Sequence, residues 1–77
     1  MNYSNKVVVV TGGAHGIGRA LCEKFAAIGA AVAVVDLEVE AAETVAKAIG
    51  GIGIRADVGV ETDIQAAVEK VEAELGP

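Results

Sequence analysis

Three runs of uninterrupted apolar character punctuate the chain: Lys6 to Thr11, Ala31 to Val35 and Ile52 to Ala56. None alternates with polar residues, so each predicts a strand covered on both faces, as in a parallel sheet. Between and after them the apolar residues recur at helical spacing. Ile17, Leu21, Phe25 and Ile28 predict one apolar face, and Gly29 suits the left-handed residue that ends a helix. Val39, Ala42, Val45, Ala46 and Ile49 predict a second, closed by Gly50-Gly51. Its acids, Glu38, Glu40 and Glu43, lie early and Lys47 lies late, which matches the helix dipole. Ile64, Ala67, Val68, Val71 and Leu75 predict a third stripe, stopped by Gly76-Pro77. Thr62 and Gln65 have capping-box spacing at its start, and Gly59 is an equally good start. Strand–helix repeats of this kind imply an α/β fold with right-handed parallel crossovers. In a doubly wound sheet the three strands take the order 3-2-1.

Composition narrows the possibilities. A chain of 77 residues holds at most one small domain. It is nevertheless 53% hydrophobic, with mean hydropathy +0.53. Either some apolar surface belongs against further chain, or abundant Ala and Val inflate the figure. The net charge is −5 and the basic residues are scattered, which argues against nucleic acid or anionic membrane as partner. No apolar stretch has the length of a membrane span or a signal-peptide core. The lone cysteine, Cys22, reads as a small apolar helix residue, consistent with a reducing, cytoplasmic compartment.

The chemistry-bearing signal lies where the first strand meets the first helix. Thr11-Gly12-x-x-x-Gly16-Ile17-Gly18 places glycines at the turn and at the helix start. Gly12 permits a sharp turn. Gly16 and Gly18 let backbone N–H groups lie against a pyrophosphate at the helix N-terminus. The strand–turn–helix context supports this reading over a plain turn. Asp36 follows the second strand, 18 residues after Gly18. There a carboxylate accepts from ribose hydroxyls and repels a 2′-phosphate, favouring NAD over NADP. It also suits a helix N-cap, and the two roles are compatible. His15 stands near the place of such a phosphate but reads better as a solvated turn residue. Arg19 reads as a solvent-facing helix charge, and Arg55 as an edge-strand residue with its head group in water. Asp57-Val58 follows the third strand. Its acid suits either the adenine amino group or a turn.

These residues together resemble the short-chain dehydrogenase/reductase family. The likeness rests on Val7 to Ala20, on Val34-Val35-Asp36-Leu37 and on Ala56-Asp57-Val58. It implies a Rossmann-type sheet represented by its first three β-α units, with residues 1–77 the N-terminal half of an NAD(P)-binding domain. By that likeness Gly12, His15, Gly16, Ile17 and Gly18 line the cofactor, Asp36 with Leu37 selects NAD, and Asp57 and Val58 meet adenine. The family's Asn-Asn-Ala-Gly segment, catalytic Ser and Tyr-x-x-x-Lys pair are absent. Tyr3, Ser4 and Lys6 do not replace them: the spacing is three residues, and the far end of the strand lies on the order of 20 Å away.

The resemblance implies a dehydrogenase acting on an alcohol or carbonyl, with this chain binding dinucleotide but inactive alone. Small-molecule substrate would meet only a longer protein. A sheet of three strands leaves the outer edge of the first strand unpaired, so self-association there, or cover by further chain, is expected. Two other readings stay open. One is a stand-alone, non-catalytic adenine-nucleotide module that self-associates. The other is a methyltransferase-type domain, disfavoured by the glycine spacing.

Overall fold

The computed structural model describes residues 4–76, so Tyr3 and Pro77 lie outside the described residues. The chain forms β1 (Val7–Thr11), α1 (Gly16–Ala27), β2 (Ala31–Asp36), α2 (Val39–Ile49), β3 (Ile52–Arg55) and α3 (Glu61–Leu75). The strands make one parallel sheet in the order β1-β2-β3, the expected order read from the other edge. Val7 is level with Ala31, Thr11 with Val35, Ala33 with Ile52 and Asp36 with Arg55. This register brings the C-terminal ends of all three strands to one edge. The glycine turn, Asp36 and Asp57 gather there. Strand limits differ from the apolar runs by a residue at Lys6, Asp36 and Ala56.

The central strand explains the missing alternation. Val32 to Val35 are all buried, with successive side chains entering opposite layers. Val32 and Val34 join Val10, Cys22, Ala42, Val45 and Ala46 under α1 and α2. Ala33 and Val35 join Ile54, Ala56, Ala67 and Val71 under α3. Thus α1 and α2 share one face, as two crossovers of one hand running in one direction must, and α3 takes the other. α3 covers the sheet over β2 and β3, and Val9 of β1 stays 49% exposed on that side.

Two helix expectations are corrected. In α1 the core is reached by Cys22, with Phe25 and Ala26 partly buried, whereas Ile17 and Leu21 are exposed. The first half of the predicted stripe is therefore turned away from the core, while Phe25 in its second half packs against it, because the helix docks through Gly18 and Cys22. α3 starts after Val60, so Thr62 lies within its first turn and forms no capping box. The carboxylate of Asp63 instead accepts from the N–H of Asp57 at 3.0 Å and from Arg55 at 3.2 Å. That tie fixes the start of α3 against the end of β3. Arg55 is exposed on an edge strand, as expected.

Candidate functional site at the C-terminal edge of the sheet

Gly12 has φ +67° and Gly16 φ +55°, and a Cβ at either would meet only open space. Glycine is needed there for backbone conformation, since other residues are strained at such φ. Gly18 differs. Its φ is ordinary for a helix, but a Cβ would run into the carbonyl oxygen of Gly12. Its bare Cα thus lets the helix start close against the turn, a packing role the sequence reading did not assign. Gly13 extends the sheet by donating to the Val35 carbonyl at 3.2 Å. The thiol of Cys22 reaches the Gly13 carbonyl at 3.8 Å. Burial pushes that thiol up from its ordinary pKa, so it serves as packing.

The start of α1 carries the positive end of its helix dipole. Its N-cap, His15, makes no side-chain cap bond, and its first turn carries no acid. α2 has Glu40 in its first turn, and α3 has Glu61 and Asp63. The N–H groups of the first turn of α1 therefore keep their capacity for an external anion. Arg19 pairs with Glu23 one turn along, at 3.3 Å, and faces solvent.

Asp36 links the two loops. Its Oδ2 accepts from the Ala14 N–H and its Oδ1 from the Glu38 N–H, both at 3.2 Å. The Glu38 N–H, foremost, holds its carboxyl below the usual carboxylate range; the Ala14 N–H and nearby His15 act in the same direction against partial burial. Asp36 is not the N-cap of α2, because Glu38 occupies that position. Glu38 makes no cap bond with its side chain and turns back to His15, Nε2 to Oε2 2.8 Å. Asp57 serves the turn: its Oδ1 accepts from the Gly59 N–H at 2.9 Å.

A cavity of about 150 Å³ lies at this edge, lined by Gly12, Val35, Asp36, Leu37, Ala56, Asp57 and Val58. Five sequence-predicted residues, Gly12, Asp36, Leu37, Asp57 and Val58, meet in it. His15, Gly16, Ile17 and Gly18 stand beside it, at the helix start. Leu37 and Val58 are exposed apolar walls, and Ile17 is 82% exposed. Ligand pockets usually span roughly 300–1,000 Å³, so this cavity is smaller than a complete one. A larger groove of about 490 Å³ runs between α2 and β3, lined among others by Glu40, Glu43, Lys47 and Gly53. It contains none of the predicted residues and lies away from the strand ends where open α/β sheets bind ligands. Ala14, Glu38 and Asp63 were missed as site residues. The last two are ordinary helix acids by spacing, and Ala14 contributes only its N–H.

The chain matches the family model for short chain dehydrogenase over residues 6–77. It is 45% identical over 75 residues to a 2,5-dichloro-2,5-cyclohexadiene-1,4-diol dehydrogenase of Sphingobium indicum, covering 95% of this chain and 30% of that protein. Among solved structures, a 3-ketoacyl-(acyl-carrier-protein) reductase of Brucella melitensis complexed with NADH superposes with TM-score 0.92 at 37% identity, over 95% of this chain and 31% of that one. A protein titled ribose-5-phosphate isomerase from Brucella melitensis 16M superposes with TM-score 0.91 at 41% identity, over 97% of this chain and 29% of that one. The chain thus spans about 30% of the length of these three proteins, and 12% of an uncharacterized oxidoreductase of Bacillus subtilis to which it is 40% identical. The shared unit stands in proteins named for different reactions, so the reaction is not set by this unit alone. With the glycine turn, the parallel order and these matches together, the chain belongs to the short chain dehydrogenase family.

Proposed function

We propose that this chain is the dinucleotide-binding N-terminal portion of an NAD-dependent oxidoreductase that moves hydride between nicotinamide and an alcohol or carbonyl. The observation that carries the reading is the meeting of Gly12, Asp36, Leu37, Asp57 and Val58 in one cavity beside the uncapped start of α1. In this reading the N–H groups at Gly16, Ile17 and Gly18 receive the pyrophosphate. His15 stands at the same helix start. Asp36 accepts from the adenosine ribose hydroxyls and disfavours a 2′-phosphate, making NAD the cofactor over NADP. Leu37 and Val58 flank the adenine ring, and Asp57 lies within reach of its amino group. The bound nicotinamide supplies the hydride chemistry. These 77 residues hold and orient the adenosine half and carry no Tyr-x-x-x-Lys pair, so hydride transfer requires residues outside them.

The edge of β1 supports a second part of the proposal. Among the described residues it has no strand partner in the sheet, and Val9 is exposed beside it. A crossover of the same hand leaving β3 through α3 runs back toward β1, since α3 lies on the opposite face. In this reading the edge takes a further strand, supplied by a second copy or by further chain.

Binding is tested by titrating the chain into NADH and following nicotinamide fluorescence, with NAD and S-adenosylmethionine as competitors. The reading expects saturable binding displaced by NAD and not by S-adenosylmethionine. Displacement by S-adenosylmethionine alone would assign the cavity to the methyltransferase alternative.

A further inference from the structure

β3 is the other free edge of the sheet: among the described residues β2 is its one strand partner. The N–H of Ala56, just past the strand, donates to the Asp36 carbonyl at 3.2 Å. Backbone groups alternate in direction along a strand, so Gly53 and Arg55 turn their N–H and C=O outward. Side chains alternate as well. Ile52 and Ile54 lie with the core under α3, which puts the Cα–Cβ directions of Gly53 and Arg55 on the α2 side. There α2 lies so close over Gly53 that an added Cβ would stand 2.9 Å from the Glu43 Cα. Beside this contact opens the groove of about 490 Å³, lined among others by Glu40, Glu43, Thr44 and Gly53. Both acids are exposed, and among the described residues no cation pairs with either. The Arg55 side chain is 55% exposed and reaches Asp63 with one Nη at 3.2 Å, which leaves other N–H donors of its guanidinium open.

We propose that the free edge of β3 is an interface for a second copy of this chain, paired antiparallel about a two-fold axis at Ile54, with Arg55 of each copy set in the groove of the other against Glu43. The strand itself selects this register. With the axis at Ile54, Gly53 of one copy faces Arg55 of the other, and both outward residues of the strand exchange N–H and C=O bonds with a partner. Facing residues of such a pair lie about 5.5 Å apart and put their side chains on the same face. Arg55 of one copy therefore stands beside Gly53 of the other, on the face where Glu43 lies above it. The missing Cβ of Gly53 leaves that space to the incoming guanidinium. Charge complementarity chooses the occupant: the groove carries two acids without a cation, and the residue that the register brings to it is a cation. Because the axis is two-fold, the contact is made twice. A short edge strand bearing one charge is often a guard against pairing, since the charge has nowhere to go. On this edge Gly53 and Glu43 receive it.

The test uses the whole chain with Val9→Lys throughout, so that pairing at β1 is suppressed and the β3 edge is read by itself. Sedimentation equilibrium compares this parent with Arg55→Glu, with Glu43→Arg and with an equimolar mixture of the two variants, each checked by circular dichroism for a retained fold. The parent is expected to dimerise. Each charge reversal should raise the dimer dissociation constant about tenfold, since two exposed pairs per dimer turn from attraction to repulsion. The mixture should return to within about threefold of the parent, because each contact again sets one cation against one acid. Hydrogen exchange on the parent reads the same interface without a charge change, and serves even where a variant fails to fold: the Gly53 and Arg55 amides should slow as concentration rises. A parent monomeric at all concentrations, a dimer indifferent to both reversals, a mixture of folded variants no tighter than either alone, or exchange at Gly53 and Arg55 independent of concentration would each overturn the proposal. The dinucleotide reading stands apart from all of these outcomes.

Discussion

At the residue scale, glycines of one motif are required for opposite reasons. Gly12 and Gly16 have room for a side chain but an unsuitable φ; Gly18 has a suitable φ and no room. Gly18→Ala must push the start of α1 off the turn, and we expect a loss of about 2–3 kcal/mol, the range of overpacked sites, in urea unfolding. Gly16→Ala should cost only about 1–2 kcal/mol, the strain of one left-handed residue. Asp36 gives a pH dependence. Its folded pKa is depressed, so its contribution is complete above the unfolded value near 4 and is lost as pH falls through the lower folded one. Acid unfolding of Asp36→Asn should therefore lack part of the wild-type loss below about pH 4, at a cost on the order of 1 kcal/mol at neutral pH. The presence of the glycines and Asp36 was legible in the sequence because each is fixed by local geometry. The separate reason for Gly18 was not, since it depends on which atom lies opposite. Glu38 was also hidden: spacing marks it as a helix acid, and only the fold brings it to His15.

At the element scale, the strands were legible and the orientation of α1 was not. The central run Val32 to Val35 is buried on both faces, so composition alone marks it. Ile17 and Leu21 complete a convincing stripe, yet Cys22 is the residue that is buried, because close docking at Gly18 fixes the rotation of the helix. The start of α3 escaped similarly: the tie from Asp63 to Asp57 spans the loop and has no local signature. The β1 edge carries the prediction of this scale. Sedimentation of the 77-residue chain should show concentration-dependent self-association, and Val9→Lys, a charge on an exposed edge strand, should weaken it about tenfold. A chain that is monomeric at all concentrations, with Val9→Lys indistinguishable from it, would contradict the edge-pairing proposal.

For the molecule as a whole, a chain of net charge −5 is read as the receptor of a polyanion. The paradox resolves at the sheet edge. The first turn of α2 carries Glu40 and that of α3 carries Glu61 and Asp63, whereas the first turn of α1 has no acid, so local backbone dipoles and not net charge favour an anion there. Among the described residues no helix is long and apolar enough to cross a membrane. On the proposed function, this edge forms one continuous dinucleotide site running from the helix start to the cavity at Asp36 and Asp57. The most direct test is an amide NMR titration of the chain with NAD. The account predicts saturable shifts at Gly12, His15, Gly16, Ile17 and Gly18 and at Asp36, Leu37, Asp57 and Val58, with one common affinity. Shifts confined to the groove between α2 and β3, or no shifts at all, would contradict it.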